Sequence, residues 1–336
     1  MHIPDGFLNL PAAAATSAAA VGGIGYSLRT VRERFADRQI PLVGVTAAFV
    51  FAVQMINFPV LPGVSGHLLG GALAAILLGP WLGSLVLATV LVVQAIGFAD
   101  GGITALGANI TLMSLVGSVG GYYLFRALTS VLPRGPRSFA IAAAITAWAT
   151  VVLASAVASL LITVGGFAGG EQLGTVLPVM LGVHALIGVG EAFITTVVVM
   201  AVVRSRPDLV ATADRLSVAP TASGAASPRG LVVVGLAAAL VAGMALSSFA
   251  SSQPDGLEAS VLRTACADAA DPEACLSDAA GDPAFTAAPL PDYSRLWLSG
   301  LAGVVACFAL GAAIARSSHA RRPAPEQVRA KDHSLT

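Results

Sequence analysis

Two histidines in this chain stand where their neighbours could make ligands of them. His2 follows Met1, so one dipeptide offers a cation three nitrogens: the Met1 amine, the His2 backbone amide once deprotonated, and the His2 imidazole. Closing on one ion, these donors form a five- and a six-membered chelate ring, and the planar peptide keeps them near one plane. A fourth nitrogen completes a square. That arrangement suits Ni2+ or Cu2+, while imidazole donors also accept other late first-row metals. His67, after Pro62-Gly63-Val64-Ser65-Gly66, is the candidate for the fourth corner. Ile3-Pro4-Asp5-Gly6 can turn the N-terminus back onto the fold, because Pro fixes φ and Gly supplies turn conformations. The plainer alternatives are a frayed chain end at His2 and a helix-capping histidine at His67.

A second pair is His184 and Glu191, seven residues apart and hence on one helix face. Ionisable groups inside a membrane are costly, about 2.5–3.5 kcal/mol for a central charge on insertion scales, so such a pair points to function. A role in supporting the metal ligands or in gating fits them, against ordinary hydrogen bonding between helices. Asn57, Asp100 and Asn109 are further polar candidates near the same helix ends, whereas Gln54 and Gln94 read as interhelical hydrogen-bonding residues. In the first helix Ala14, Ala18 and Gly22 form a ridge of small residues that lets a neighbour approach closely, either another helix of this chain or a partner subunit.

The elements that must carry these groups are membrane helices. Of 336 residues, 56% are hydrophobic and only 11% charged, and mean hydropathy is +0.83. Soluble domains carry roughly 25% charged residues, so the chain reads as an all-α polytopic membrane protein in contact with lipid. The single lysine, Lys331, excludes a P-loop and any internal Schiff base, and zero net charge gives no field to attract nucleic acid. A spanning helix needs about 20 apolar residues. That length predicts nine spans, near 8–28, 40–57, 67–79, 81–98, 104–125, 138–165, 176–203, 230–250 and 296–315, the third short and cut from the fourth at Gly79-Pro80.

Alternating nine spans puts sixteen of the eighteen basic residues on one face: Arg29, Arg32, Arg34 and Arg38; Arg126, Arg134 and Arg137; Arg204, Arg206, Arg215 and Arg229; and Arg316, Arg321, Arg322, Arg329 and Lys331. By the positive-inside rule that face is cytoplasmic, which leaves the N-terminus external and the C-terminal tail, 316–336, inside. No basic region precedes the first apolar run, so a retained rather than cleaved N-terminus is expected. The polar stretch 204–229 reads as a cytoplasmic linker between a seven-span unit, 1–203, and a two-span unit, 230–315. The smaller unit holds an external loop, 251–293, with eight carboxylates against Arg263 alone. Cys266 and Cys275 lie there, either bridged or as free thiols. Pro-Asp-Gly occurs twice, at 4–6 and 254–256.

Several motifs in order carry a resemblance. Met1-His2-Ile3-Pro4-Asp5-Gly6-Phe7-Leu8, Gly63-Val64-Ser65-Gly66-His67-Leu68-Leu69-Gly70-Gly71, Ala99-Asp100-Gly101-Gly102, Leu106-Gly107-Ala108-Asn109 and His184-Ala185-Leu186-Ile187-Gly188-Val189-Gly190-Glu191 resemble the CbiM/NikM substrate-specific components of energy-coupling factor (ECF) transporters, which belong to the ABC class. Pro254-Asp255-Gly256-Leu257-Glu258 and Pro289-Leu290-Pro291-Asp292-Tyr293-Ser294 resemble the PDGLE-type small component (CbiN/NikN-like), here fused in one chain, with a loop longer than that family leads one to expect. The resemblance implies a seven-helix bundle plus two further transmembrane helices in the cell membrane, and uptake of Co2+ or Ni2+ as transported substrate. It also implies metal ligation by Met1, His2 and His67, and contact through the first helix with a transmembrane coupling subunit driven by separate cytoplasmic ATPases. An ion-coupled secondary carrier, with His184 and Glu191 relaying protons, is the competing reading. A metallo-hydrolase needs an open metal position and a general base, and no H-E-x-x-H occurs.

Overall fold

The computed structural model describes residues 1–34, 39–166, 173–216, 227–264, 266–267, 269–272, 274–276 and 287–319. Arg38, Arg321, Arg322, Arg329 and Lys331 of the basic face, and parts of the linker, the loop and the tail, lie outside them. Among the described residues the chain is predominantly helical. In order, α1 is Leu10–Arg34 and α2 is Ile40–Gln54, followed by strands β1, Phe58–Leu61, and β2, Val64–Gly66. Helix α3, Gly71–Leu78, and α4, Pro80–Phe98, follow. Helix α5 combines Leu106–Asn109, a π-helical stretch Ile110–Gly120, and Gly121–Val131. Then come α6, Pro136–Gly165, and α7, Leu173–Ser205. The second unit comprises α8, Arg229–Phe249, the short α9, Gly256–Arg263, and α10, Leu296–His319.

Among the described residues, five helices are long and apolar enough to cross a membrane: α4, α6, α7, α8 and α10. The other expected spans coincide with α1, with α2 of 15 residues, with α3 of 8, and with the composite α5. At 1.5 Å per residue α3 measures about 12 Å and cannot cross about 30 Å of hydrocarbon by itself. The residues that lead into it, His67–Gly70, are non-helical. Non-helical backbone at that depth needs protein partners for its polar groups, and it has them. Glu191 accepts from Leu69 N at 2.7 Å and Gly70 N at 2.8 Å, and Gln54 donates to Leu69 O at 2.6 Å.

The antiparallel β1–β2 hairpin, pairing Phe58 with Gly66, is an element that the all-α expectation lacked. It presents Ser65, Gly66 and His67 to one end of the bundle. At the other end Ala211 N and Thr212 Oγ1 donate to Leu77 O and Ile76 O, and Arg126 pairs with Asp214 at 2.7 Å. The described arginines of the expected basic face stand at this second end, at the C-termini of α1, α5, α7 and α10 and the N-termini of α6 and α8.

Helices α8 and α10 pack on α2, where Phe308 lies against Gly44 and Phe51 against Gly303. Large apolar side chains such as Val189, Phe193, Val233 and Val234 face outward, as expected of lipid-facing positions. Ala14, Ala18 and Gly22 are also exposed, with nothing within 4 Å of a Cβ placed at Gly22, so among the described residues no helix covers this ridge.

Candidate metal centre

The N-terminal residues form a strap laid across the bundle and buried there, with Met1 2%, His2 8% and Ile3 0% exposed. Backbone groups in such a place need partners. Asn109 supplies two, its Oδ1 accepting from Ile3 N at 2.8 Å and its Nδ2 donating to Ile3 O at 3.0 Å. Gly102 N donates to the same carbonyl at 2.9 Å, and Asp5 accepts from Thr104 N and Oγ1 at 2.8 and 2.6 Å. A Cβ on Gly102 would collide with the Asp5 and Pro4 backbone, so glycine is what lets the strap lie flat.

So held, the Met1 amine stands 2.5 Å from His67 Nε2, and the His2 and His67 rings stack with centroids 4.7 Å apart. His67 Nδ1 donates to Leu68 O at 2.9 Å, which leaves the Nε2 lone pair toward the amine. His2 Nε2 donates to Gln94 Oε1 at 3.2 Å, so its Nδ1 lone pair faces Asp100 Oδ1, 3.2 Å away. A proton on Asp100 or a cation would bridge that gap. Burial, with the Met1 ammonium adding to it, pushes the His2 imidazole down to about 3, so it is neutral and able to ligate.

The second unit reaches this place with both ends of its loop. Pro254 and Gln253 carbonyls accept from Ser65 N at 2.8 Å and Ser65 Oγ at 2.6 Å, and Asn57 O accepts from Ser251 N at 2.8 Å. Asp255 then lies 2.6 Å from the Met1 amine through Oδ2. Burial pushes this carboxyl up, but the ammonium and His67 beside it and the hydrogen bonds it accepts outweigh burial and hold it well below the usual range. At the other end Tyr293 donates to Asp100 Oδ2 at 2.6 Å and accepts from Gln94 Nε2 at 3.4 Å. Burial, with Asp100 close by, raises the phenol well above its ordinary value, and burial also raises Asp100. Asp292 and Tyr293 take left-handed backbone, φ 50° and 54°, a conformation rare outside glycine that costs about 1–3 kcal/mol per residue.

Of the residues singled out from sequence, Met1, His2, His67, Asp100 and Asn109 come together here. Glu191 supports the stretch after His67 rather than meeting the amine or the imidazoles. His184 donates from Nδ1 to Met180 O at 2.8 Å, and its buried Nε2 has no hydrogen-bond partner among the described residues and faces Gly256. Asn57 takes part through its carbonyl, while its Oδ1 has no such partner. Gln94, read as a plain interhelical residue, belongs to the site, as do Asp255, Tyr293, Ser65 and Asp5. The repeated Pro-Asp-Gly was the available signal: Asp5 ties the strap to Thr104, and Asp255 lies against the strap's amine. Cys266 and Cys275 form a disulfide, and Cys266 packs, fully buried, in the cluster that contains Met1, Ile3 and Phe7. No group of three or more His, Cys, Asp or Glu side chains in ligating array occurs among the described residues, so a cation here needs backbone nitrogen.

Two family models match the chain: CbiM, the cobalt uptake substrate-specific transmembrane region, over residues 2–209, and the PDGLE domain over 229–319. The chain belongs to the CbiM family. The motif resemblance is borne out for both components. A protein of Archaeoglobus fulgidus, provisionally named fused nickel transport protein NikMN, is 36% identical over 321 residues, covering 94% of this chain and 98% of its own. The cobalt transport protein CbiM of Geobacter sulfurreducens is 31% identical, covering 80% of this chain and 78% of its own. A crystal structure described as a transition metal transporter superposes with a TM-score of 0.55 at 29% identity, covering 61% of this chain and 93% of its own. As a CbiM-family member the protein is a multi-pass membrane component of metal uptake, not an enzyme.

Proposed function

We propose that this protein captures Ni2+ or Co2+ with four nitrogens: the Met1 amine, the deprotonated His2 amide, the His2 imidazole and His67 Nε2. The observation that carries the reading is the buried approach of the Met1 amine to His67 Nε2 at 2.5 Å, with both imidazole lone pairs turned inward by their other hydrogen bonds. Adjacent corners of a square with bonds of roughly 2.0 Å lie about 2.8 Å apart, close to that separation. Nickel is the better match to a planar nitrogen set.

The same reading sets the strap on the external face, opposite the arginine-rich end, with the C-terminus cytoplasmic. Residues 1–203 form the capture unit, and 230–315 form a helper unit joined through 204–229. Energy comes from partner proteins, a transmembrane coupling subunit and ATPases of the ECF type. This chain's one lysine lies in no P-loop, and the exposed Ala14, Ala18 and Gly22 offer a close-packing face to the coupling subunit. The test compares Ni2+ and Co2+ affinity of the purified chain starting at Met1 with a form carrying one extra residue before it. Tight binding that disappears with the extension supports the N-terminal chelate; equal binding by both forms refutes it.

A further inference from the structure

We infer that Tyr293 is a positioning residue for the metal site: acting through Gln94, its hydroxyl fixes the form of the His2 imidazole that is able to ligate. The inference rests on the N-terminal chelate just proposed and names a contact by which the second unit acts on it.

In that chelate His2 binds through Nδ1, which closes the six-membered ring, so the hydrogen of the neutral imidazole must sit on Nε2. Asp100 opposes this arrangement. Its Oδ1 lies 3.2 Å from Nδ1 and, as a carboxylate, accepts any hydrogen placed there. The two forms of the ring differ only in which nitrogen holds the hydrogen; no proton is gained or lost. What decides between them is the partner on the other side of the ring, Gln94, 3.2 Å from Nε2. With its oxygen toward the ring, the amide accepts from Nε2 and leaves Nδ1 bare. With its nitrogen toward the ring, it donates to Nε2 and sends the hydrogen to Nδ1, which blocks the ligating atom. Gln94 is 0% exposed, so bulk water does not stand in for either partner of the amide.

The far end of that amide meets Tyr293. A hydroxyl has a single hydrogen, and here it goes to Asp100 Oδ2 at 2.6 Å. Toward Gln94 the phenol oxygen is left to accept, which it does from Nε2 at 3.4 Å. The amide is thereby turned with Oε1 toward His2. One hydroxyl thus holds both groups that compete for the His2 hydrogen: it engages the carboxylate and orients the amide. Tyr293 is fixed for this on the end of α4. Leu290 N donates to Gly97 O at 3.1 Å, and the Tyr293 ring stacks on Phe98 with centroids 4.9 Å apart. Asp100 N donates to Gln94 O at 3.2 Å, which ties the two partners of the hydroxyl to one turn. Left-handed backbone of the kind found at Asp292 and Tyr293 persists where surrounding contacts over-determine it, and these are such contacts.

The test uses the full-length chain in detergent, metal-free, with its histidine nitrogens isotopically labelled. NMR distinguishes a ring nitrogen that bears hydrogen from a bare one, and His2→Ala identifies the His2 signals. Ni2+ affinity is measured beside it by chelator competition. Wild-type His2 is expected in one form, with hydrogen on Nε2. Tyr293→Phe keeps the ring on Phe98 and removes only the hydroxyl. It is expected to populate the form with hydrogen on Nδ1 and to weaken Ni2+ binding by about 10-fold, the lower end for loss of an outer partner of a metal-binding histidine. Wild-type His2 with hydrogen on Nδ1 overturns the inference without recourse to any variant. The N-terminally extended form tests the chelate separately: tight binding that survives the extension refutes the chelate. Where the extension abolishes binding, a folded Tyr293→Phe protein with an unchanged His2 form or unchanged affinity refutes the role of Tyr293 alone.

Discussion

Asn109 is the residue on which the geometry of the strap depends most directly, and replacing it with alanine gives a calculable effect. Both of its side-chain hydrogen bonds go to the backbone of Ile3, one residue beyond the Met1-His2 dipeptide. Asn109→Ala leaves Ile3 O satisfied, because Gly102 N still donates to it at 2.9 Å. Ile3 N has no such reserve. Ile3 is 0% exposed, so its N–H becomes a buried orphan worth about 1–3 kcal/mol, and the lost bond to the carbonyl adds about 1 kcal/mol. The docked strap is therefore destabilised by roughly 2–4 kcal/mol. If the undocked strap cannot ligate and the metal-free strap is docked only marginally, apparent affinity falls with the competent fraction, by up to about 30–1000-fold for Ni2+ or Co2+. The assay is competition against a chromophoric chelator with the purified full chain, with size exclusion and circular dichroism showing that the bundle remains folded. A folded Asn109→Ala protein with affinity within threefold of wild type would refute the claim that strap docking organises the site.

Two further outcomes are expected. The unfolded chain binds a proton on His2 below pH 6.5, whereas the folded site refuses it down to about 3. The stability associated with His2 is therefore whole above pH 6.5 and is lost as pH falls through the window from 6.5 to 3, by about 2 kcal/mol at pH 5. Thermal melts of the metal-free chain should show this slope, and His2→Ala should flatten it; parallel slopes contradict it. Glu191→Gln keeps the volume but turns an amide group toward one of the two donors, Leu69 N and Gly70 N, and costs about 3–5 kcal/mol. The melting temperature should drop by about 4–7 °C, and binding should weaken because the stretch after His67 shifts. An unchanged melt would mean that Glu191 does not hold that backbone.

Composition and periodicity carried the membrane architecture, because apolar stretches of helical length report burial in lipid directly. The Met1-His2 dipeptide was legible as a candidate chelate because its donors are covalently adjacent and need no fold to meet. The Ser-Gly-His segment was legible for a different reason, its glycines and its place before an apolar run. What sequence could not show was how far the third span falls short of a full helix. Hydropathy does not distinguish eight helical residues behind an extended stretch from one continuous helix; the difference lies in whether Glu191 and Gln54 can reach the freed backbone of Leu69 and Gly70. The joining of Asp255 and Tyr293 to the strap was likewise out of reach, since each is separated from its partner by about two hundred residues or more. Local pattern determined which elements form and which residues are able to ligate. Tertiary packing alone decided which carboxylates converge on the amine, because such contacts are set by the docking of the two units and leave no period or spacing in the chain.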